Sequence, residues 1–101
     1  MDMRFFLNID RISEVNGNVA LKKEEVILNA YYIRNIIIRD EEIIIVYTMT
    51  NHENSGTIYQ ILKDKGKYEN LEDEIKKVHL IRCYVSEKDY QNILEQLGKI
   101  G

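Results

Sequence analysis

The run Ile36-Ile37-Ile38-Arg39-Asp40-Glu41-Glu42-Ile43-Ile44-Ile45 decides the fold. Two blocks of β-branched residues flank a short charged break, which favours two strands joined by a tight turn. With Asp40-Glu41 as the loop, Arg39 faces Glu42 and Ile38 faces Ile43. An opposite-charge pair at the mouth supports that register. Each block is apolar on both faces, so this hairpin is expected deep in a sheet.

Working towards the N-terminus, residues 26–28 read as a short strand. Asn29-Ala30-Tyr31-Tyr32 reads as a local turn held by the Asn side chain. Residues 22–25 are polar and read as a connection. Met3, Phe5, Leu7 and Ile9 alternate with more polar neighbours, the period of a strand with one buried face. The apolar phase then shifts to Ile12, so a bulge is expected near Asp10-Arg11. Asn16-Gly17 supplies the positive φ angles of a type I′ turn. That turn pairs Val15 with Asn18, Glu14 with Val19 and Ile12 with Leu21.

Towards the C-terminus, residues 57–62 alternate as a strand, although Ile58, Ile61 and Leu62 also fit one helical face. Asn70 can cap a short helix over 71–77, with acids first and lysines last, as the helix dipole prefers. Residues 79–85 read as a strand. Ser86 and Asp89 resemble a capping box, and Val85 and Tyr90 occupy the staple positions. Tyr90, Ile93, Leu94 and Leu97 form one apolar stripe over a helix 87–97, with Gly98 as its stop.

The expected architecture is therefore a single α+β domain over 1–101. A mainly antiparallel sheet of five or six strands, with closure into a small barrel left open, carries a C-terminal helix on one face. The 101 residues are enough for one core, and 45% hydrophobic with 31% charged residues is ordinary for a globular chain.

The same residues exclude several functions. No apolar run approaches the roughly 20 residues of a membrane-spanning helix. The start lacks signal-peptide anatomy, so a cytoplasmic setting is expected. One cysteine excludes an internal disulfide. The net charge of −3 is spread along the chain, unlike the basic stripe of a nucleic-acid binder. The abundance of Ile, Lys, Asn, Glu and Tyr suits an AT-rich bacterial, phage or archaeal genome.

No catalytic constellation is expected. Cys83 needs a histidine within hydrogen-bond reach to act as a nucleophile. His79 lies on the same strand about 13 Å away, and His52 falls in a loop. His52, His79 and Cys83 lack zinc-ligand spacing, so no metal or cofactor is expected. The acidic groups Asp40-Glu41-Glu42 and Glu72-Asp73-Glu74 fall at a turn and a helix start, where they stay wet rather than poised for acid catalysis. The five glycines are scattered and build no phosphate loop.

Seven tyrosines without tryptophan form the conspicuous set. Most read as core-edge residues with bonded hydroxyls, but Tyr and Arg are also enriched at protein interfaces. Tyr31, Tyr32, Tyr47 and Tyr59, with Arg34, are the expected contact residues. In a strand, Tyr32 and Arg34 share a face. The acidic turn Asp40, Glu41 and Glu42 would meet a basic patch.

The order Val26-Ile27-Leu28-Asn29, Ile33, Ile36, a turn, a strand and Gly56-Thr57-Ile58-Tyr59 is loosely similar to the rhythm of DNA-binding domains of the LytTR type. The similarity covers about a third of the chain and carries no site across.

The leading expectation is a small non-catalytic protein-binding regulator or inhibitor, phage- or mobile-element-encoded, that occludes a host protein. The alternatives are a nucleic-acid-binding regulator using Arg34, Arg39 and Arg82, or a protein sequestering an anionic nucleotide. Exposed sheet edges also make a two-fold homodimer an expected partner state.

Overall fold

The computed structural model describes residues 3–49, 56–63, 65 and 79–100, with only the backbone of Glu14, Val15 and Ile100. The chain runs β1 (Arg4–Val15), β2 (Asn18–Asn29), a 3-10 turn (Ala30–Tyr32), β3 (Ile33–Arg39), β4 (Glu42–Tyr47), β5 (Thr57–Leu62), β6 (His79–Tyr84) and α1 (Glu87–Ile100). The expected helix 71–77 and His52 lie outside the described residues.

The isoleucine hairpin has the expected register, with Ile38 opposite Ile43 and Arg39 opposite Glu42. Its two strands differ in depth. β4 lies between β3 and β5, and Ile43, Ile44 and Ile45 are all buried. β3 is a sheet edge and leaves Ile38 exposed. The loop places Glu41 at φ 61°, a left-handed conformation costing a non-glycine residue about 1–2 kcal/mol. Only the second loop residue has positive φ, as in a type II turn. The other hairpin puts both Asn16 (φ 53°) and Gly17 (φ 79°) there, the type I′ pattern its sequence predicts.

That second hairpin is longer than its sequence suggests. β1 and β2 pair without interruption from Arg4↔Asn29 to Val15↔Asn18. Neither the connection at 22–25 nor the bulge at Asp10-Arg11 exists. The charges at 22–25 lie within an edge strand, where solvent accepts them. Lys23 stands opposite Asp10, and Glu24 meets the Arg11 guanidinium at 3.7 Å. The phase shift needs no bulge because Phe5, Leu7 and Ile9 are buried whereas Ile12, on the opposite face, is only half-buried.

The sheet order is β2-β1-β6-β5-β4-β3. β5 and β6 run parallel, so the sheet is mixed, correcting the mainly antiparallel expectation. The connection over 63–78 has the dozen or more residues a parallel crossover requires. Such pairs are usually buried on both faces. Tyr59, Ile61 and Cys83 accordingly join the main core, while Ile58, Gln60, Leu62 and Tyr84 are buried on the other face. This burial from Ile58 to Leu62 assigns the ambiguous segment as strand.

β2 and β3 are the two sheet edges, yet only Ala30–Tyr32 separates them in the chain. The sheet therefore bends until its edges approach. Asn29 N–H donates to the Tyr47 hydroxyl at 3.2 Å, and Thr48 N–H donates to the Tyr32 carbonyl at 3.1 Å. No β2–β3 ladder forms among the described residues, so the sheet is not a closed barrel.

α1 packs Tyr90, Ile93, Leu94 and Leu97 against the core formed by Phe5, Leu7, Leu28, Ile45 and Ile61. Ser86 Oγ accepts from Asp89 N–H at 3.1 Å and donates to the Asp89 carboxylate at 2.9 Å. This is the N-cap half of a capping box, with the shorter acid bonding the cap hydroxyl instead of the Ser86 N–H. The helix continues through Gly98 rather than stopping there.

The helix also completes the sheet. β1 pairs with β6 only at Asp10 and Arg11. Nearer the N-terminus, the Gln96 amide takes the place of a strand. Its Nε2 donates to the Phe6 carbonyl at 2.9 Å, and its Oε1 accepts from Phe6 N–H at 2.8 Å. Gln96→Ala is expected to cost about 1–2 kcal/mol, since both peptide groups lose their partner. Urea unfolding with an unchanged m-value checks this, and amide exchange at Phe6 is expected to rise.

Candidate functional site

Three chain segments converge on the 3-10 turn. Asn29 Oδ1 accepts from Tyr31 N–H at 2.9 Å, the local turn its sequence predicts. Ala30 N–H donates to the Met3 carbonyl at 2.7 Å, and the Thr48 bond brings in the end of β4. Ala30 is buried, which fixes the turn, while Tyr31 projects at 74% exposure. Met49 follows Thr48 at 66% exposure, and Met3 is exposed as well. One end of the sheet therefore carries three exposed residues, Tyr31, Met3 and Met49, on segments that these backbone bonds join.

The other expected tyrosines support this end from beneath. Tyr32 meets Tyr47 edge-on with ring centroids 6.2 Å apart, and Tyr47 meets Tyr59 at 6.5 Å. Such edge-to-face contacts add about 0.5–1.5 kcal/mol each beyond their burial. Tyr59 is buried and belongs to the core, so it offers no surface to a partner. Burial, then the neighbouring Tyr47, pushes its hydroxyl above the ordinary tyrosine range.

Arg34 does not share a strand face with Tyr32. Tyr32 ends the 3-10 turn, and Arg34 is the extra residue where the β3–β4 register shifts between Ile33 and Asn35. Such a bulge re-aims a side chain, and Arg34 is exposed beside the turn. Asp40, Glu41 and Glu42 lie at the far end of β3, about 20 Å away at 3.3 Å per residue. Glu42 is also engaged there, accepting from Gln60 Nε2 at 3.2 Å.

Of the arginines assigned to nucleic-acid or nucleotide binding, Arg34 lies at the opposite end of β3 from Arg39, which is at the acidic turn, and Arg82 Nε donates to the buried Gln60 Oε1 at 3.0 Å. Cys83 is fully buried, its thiol donating to the Gln60 carbonyl at 3.5 Å. Desolvation, then the carboxylates of Asp10 and Glu24, pushes the thiol up to about 12. A thiol in that state supplies almost no thiolate at neutral pH. His79 is exposed at the start of β6. Among the described residues, no group of three His, Cys, Asp or Glu side chains is set to hold a metal ion.

A cavity of about 400 Å³ opens where β1 parts from β6, lined by Asn8, Asp10, Glu24, Tyr84 and Asp89 among others. The Ser86 bond engages Asp89, and Glu24 sits near Arg11 and Lys22. Nearby, Lys63 Nζ bonds Glu87 at 2.6 Å and lies 5.5 Å from the Tyr90 ring centre. The hydrogen bond holds the ammonium above and the carboxylate below its ordinary range.

Residues 31 and 34 were legible as contact candidates from their types. Met3 and Met49 were not, because only backbone bonds between distant segments bring them to one turn. No described helix is long and apolar enough to cross a membrane. No protein-family model, curated protein or solved structure matches this chain.

Proposed function

We propose that the protein is a non-catalytic binding module that occludes a surface of another protein, a host protein in a phage or mobile-element setting. The carrying observation is the exposed Tyr31 on a turn tied by backbone bonds to Met3 and Thr48, with Met3 and the next residue, Met49, exposed as well. A rigid aromatic anchor loses little conformational entropy on binding, and methionines adapt to an irregular partner surface. Arg34 adds a planar donor at the rim. The acidic turn, about 20 Å off, acts through charge, raising the association rate more than the affinity.

Cys83 supports a non-catalytic reading, because its buried, protonated thiol has no route to a substrate. The reading places the protein in a reducing cytoplasm, where Cys83 stays a thiol.

Immobilised protein exposed to extract from a candidate host tests the proposal. A stoichiometric protein partner is expected with the wild type and lost with the double variant Tyr31→Ala, Met49→Ala. Recovery of nothing stoichiometric, or equal recovery by both proteins, contradicts it.

A further inference from the structure

The outer edge of β2 is unpaired among the described residues, and its sequence is complementary to itself. The two-residue turn makes Val15↔Asn18 a hydrogen-bonded pair, so even-numbered β2 residues bond β1 and odd-numbered ones direct N–H and C=O outward. The observed bonds agree. Asn29 N–H reaches out to Tyr47, and across the ribbon Phe6 reaches out to Gln96. The outward residues 21, 23, 25 and 27 also carry the solvent face of the ribbon, with Leu21 43% and Ile27 54% exposed.

We propose that two copies of the chain pair antiparallel along β2, about a two-fold axis at Glu24. In this register Leu21 meets Ile27 of the partner copy, and Lys23 meets Glu25. The two-fold repeats both pairs, so four residue pairs each exchange both backbone bonds. Every outward side chain between 21 and 27 then finds a matching one, apolar on apolar and cation on anion. Sliding by one pair in one direction sets Lys23 on Lys23 and Leu21 on Glu25. Sliding the other way sets Glu25 on Glu25 and Lys23 on Ile27. Both slid registers set a charge on an apolar residue and a like-charge pair among the outward residues, whereas the proposed register confines its one like-charge pair to Glu24 at the axis. At the axis the two Glu24 carboxylates face each other, each beside Arg11 (3.7 Å) and Lys22 (4.0 Å) of its own copy. The ladder ends beyond Val19 because the Asn29 N–H is already taken.

This inference uses an edge separate from the turn around Tyr31, so either reading can fail alone. Light scattering at the highest soluble concentration is expected to return twice the 12.0 kDa chain mass. Leu21→Asp, at an exposed position, is expected to return a single-chain mass with an unchanged melt.

Cysteine cross-linking fixes the register. Lys23→Cys mixed with Glu25→Cys is expected to form a disulfide-linked dimer, because bonded partners lie about 5.5 Å apart at Cα. Either variant alone is expected not to cross-link, its like residues lying about 7–8 Å apart. The buried Cys83 leaves the wild type as a clean control. A single-chain mass for the wild type overturns the proposal and leaves the edge to some other strand. Cross-linking of Lys23→Cys with itself overturns the register.

Discussion

Phe5→Ala is expected to destabilise the protein by about 3–5 kcal/mol. Phe5 is fully buried in the core with Leu7, Leu28, Tyr90 and Ile93. Its half of β1 has no ladder to β6, which pairs only with Asp10 and Arg11. β2, the Gln96 amide and the core side chains hold it in place. Removing the ring leaves a cavity beneath the least supported part of the sheet. A domain of this size has about 5–15 kcal/mol in total, so the melting temperature should fall by on the order of 20 °C. Val19→Ala, at an exposed position, is the control and should stay within about 0.5 kcal/mol. A Phe5→Ala melt within about 5 °C of the wild type would contradict this core.

Alkaline stability carries the second large effect. The Cys83 thiol is pushed up to about 12 by burial and nearby carboxylates, whereas an unfolded thiol titrates near 8.5. Between those values the unfolded chain has lost a proton that the folded chain retains. Stability is therefore constant below the unfolded value and falls as pH rises above it, by about 1.4 kcal/mol per unit. Tyr59 and Tyr90, both raised chiefly by burial, add to the loss above the ordinary tyrosine range. Urea midpoints across this pH range are expected to fall steeply for the wild type. In Cys83→Ala, whatever its stability at neutral pH, the decline should begin later. Equal slopes would contradict the placement of Cys83. The same burial predicts that a thiol reagent labels native Cys83 no faster than the chain unfolds.

Local chemistry was legible in the sequence where neighbours decide the structure. The Asp40-Glu41 and Asn16-Gly17 hairpins, the Asn29 turn, the Ser86 cap and the Tyr90–Leu97 stripe depend on contacts a few residues apart. Long-range contacts were not legible. Residues 22–25 read as a connection because their charges suit a loop equally well, and only pairing with Asn8–Arg11 makes them strand. The β5–β6 parallel pair joins strands across a long connection with no local signal. Gly98 read as a stop, yet the helix has no positive φ there and continues.

The candidate contact residues divide in the same way. Tyr31 and Arg34, named for their types, are exposed. Tyr59 was misplaced because only the sheet order buries it between β4 and β6. The acidic turn was joined to the tyrosines for its charge alone, and the length of β3 separates them.

The affinity of the captured partner for Tyr31→Ala tests the contact reading most directly. An anchor of this kind is expected to contribute at least about 2 kcal/mol, which is roughly 30-fold in Kd. Its melt should match the wild type, since the side chain projects into solvent. An unchanged Kd for Tyr31→Ala, with binding lost instead in the charge reversal of Asp40 and Glu41, would contradict the account and move the contact to the other end of the sheet.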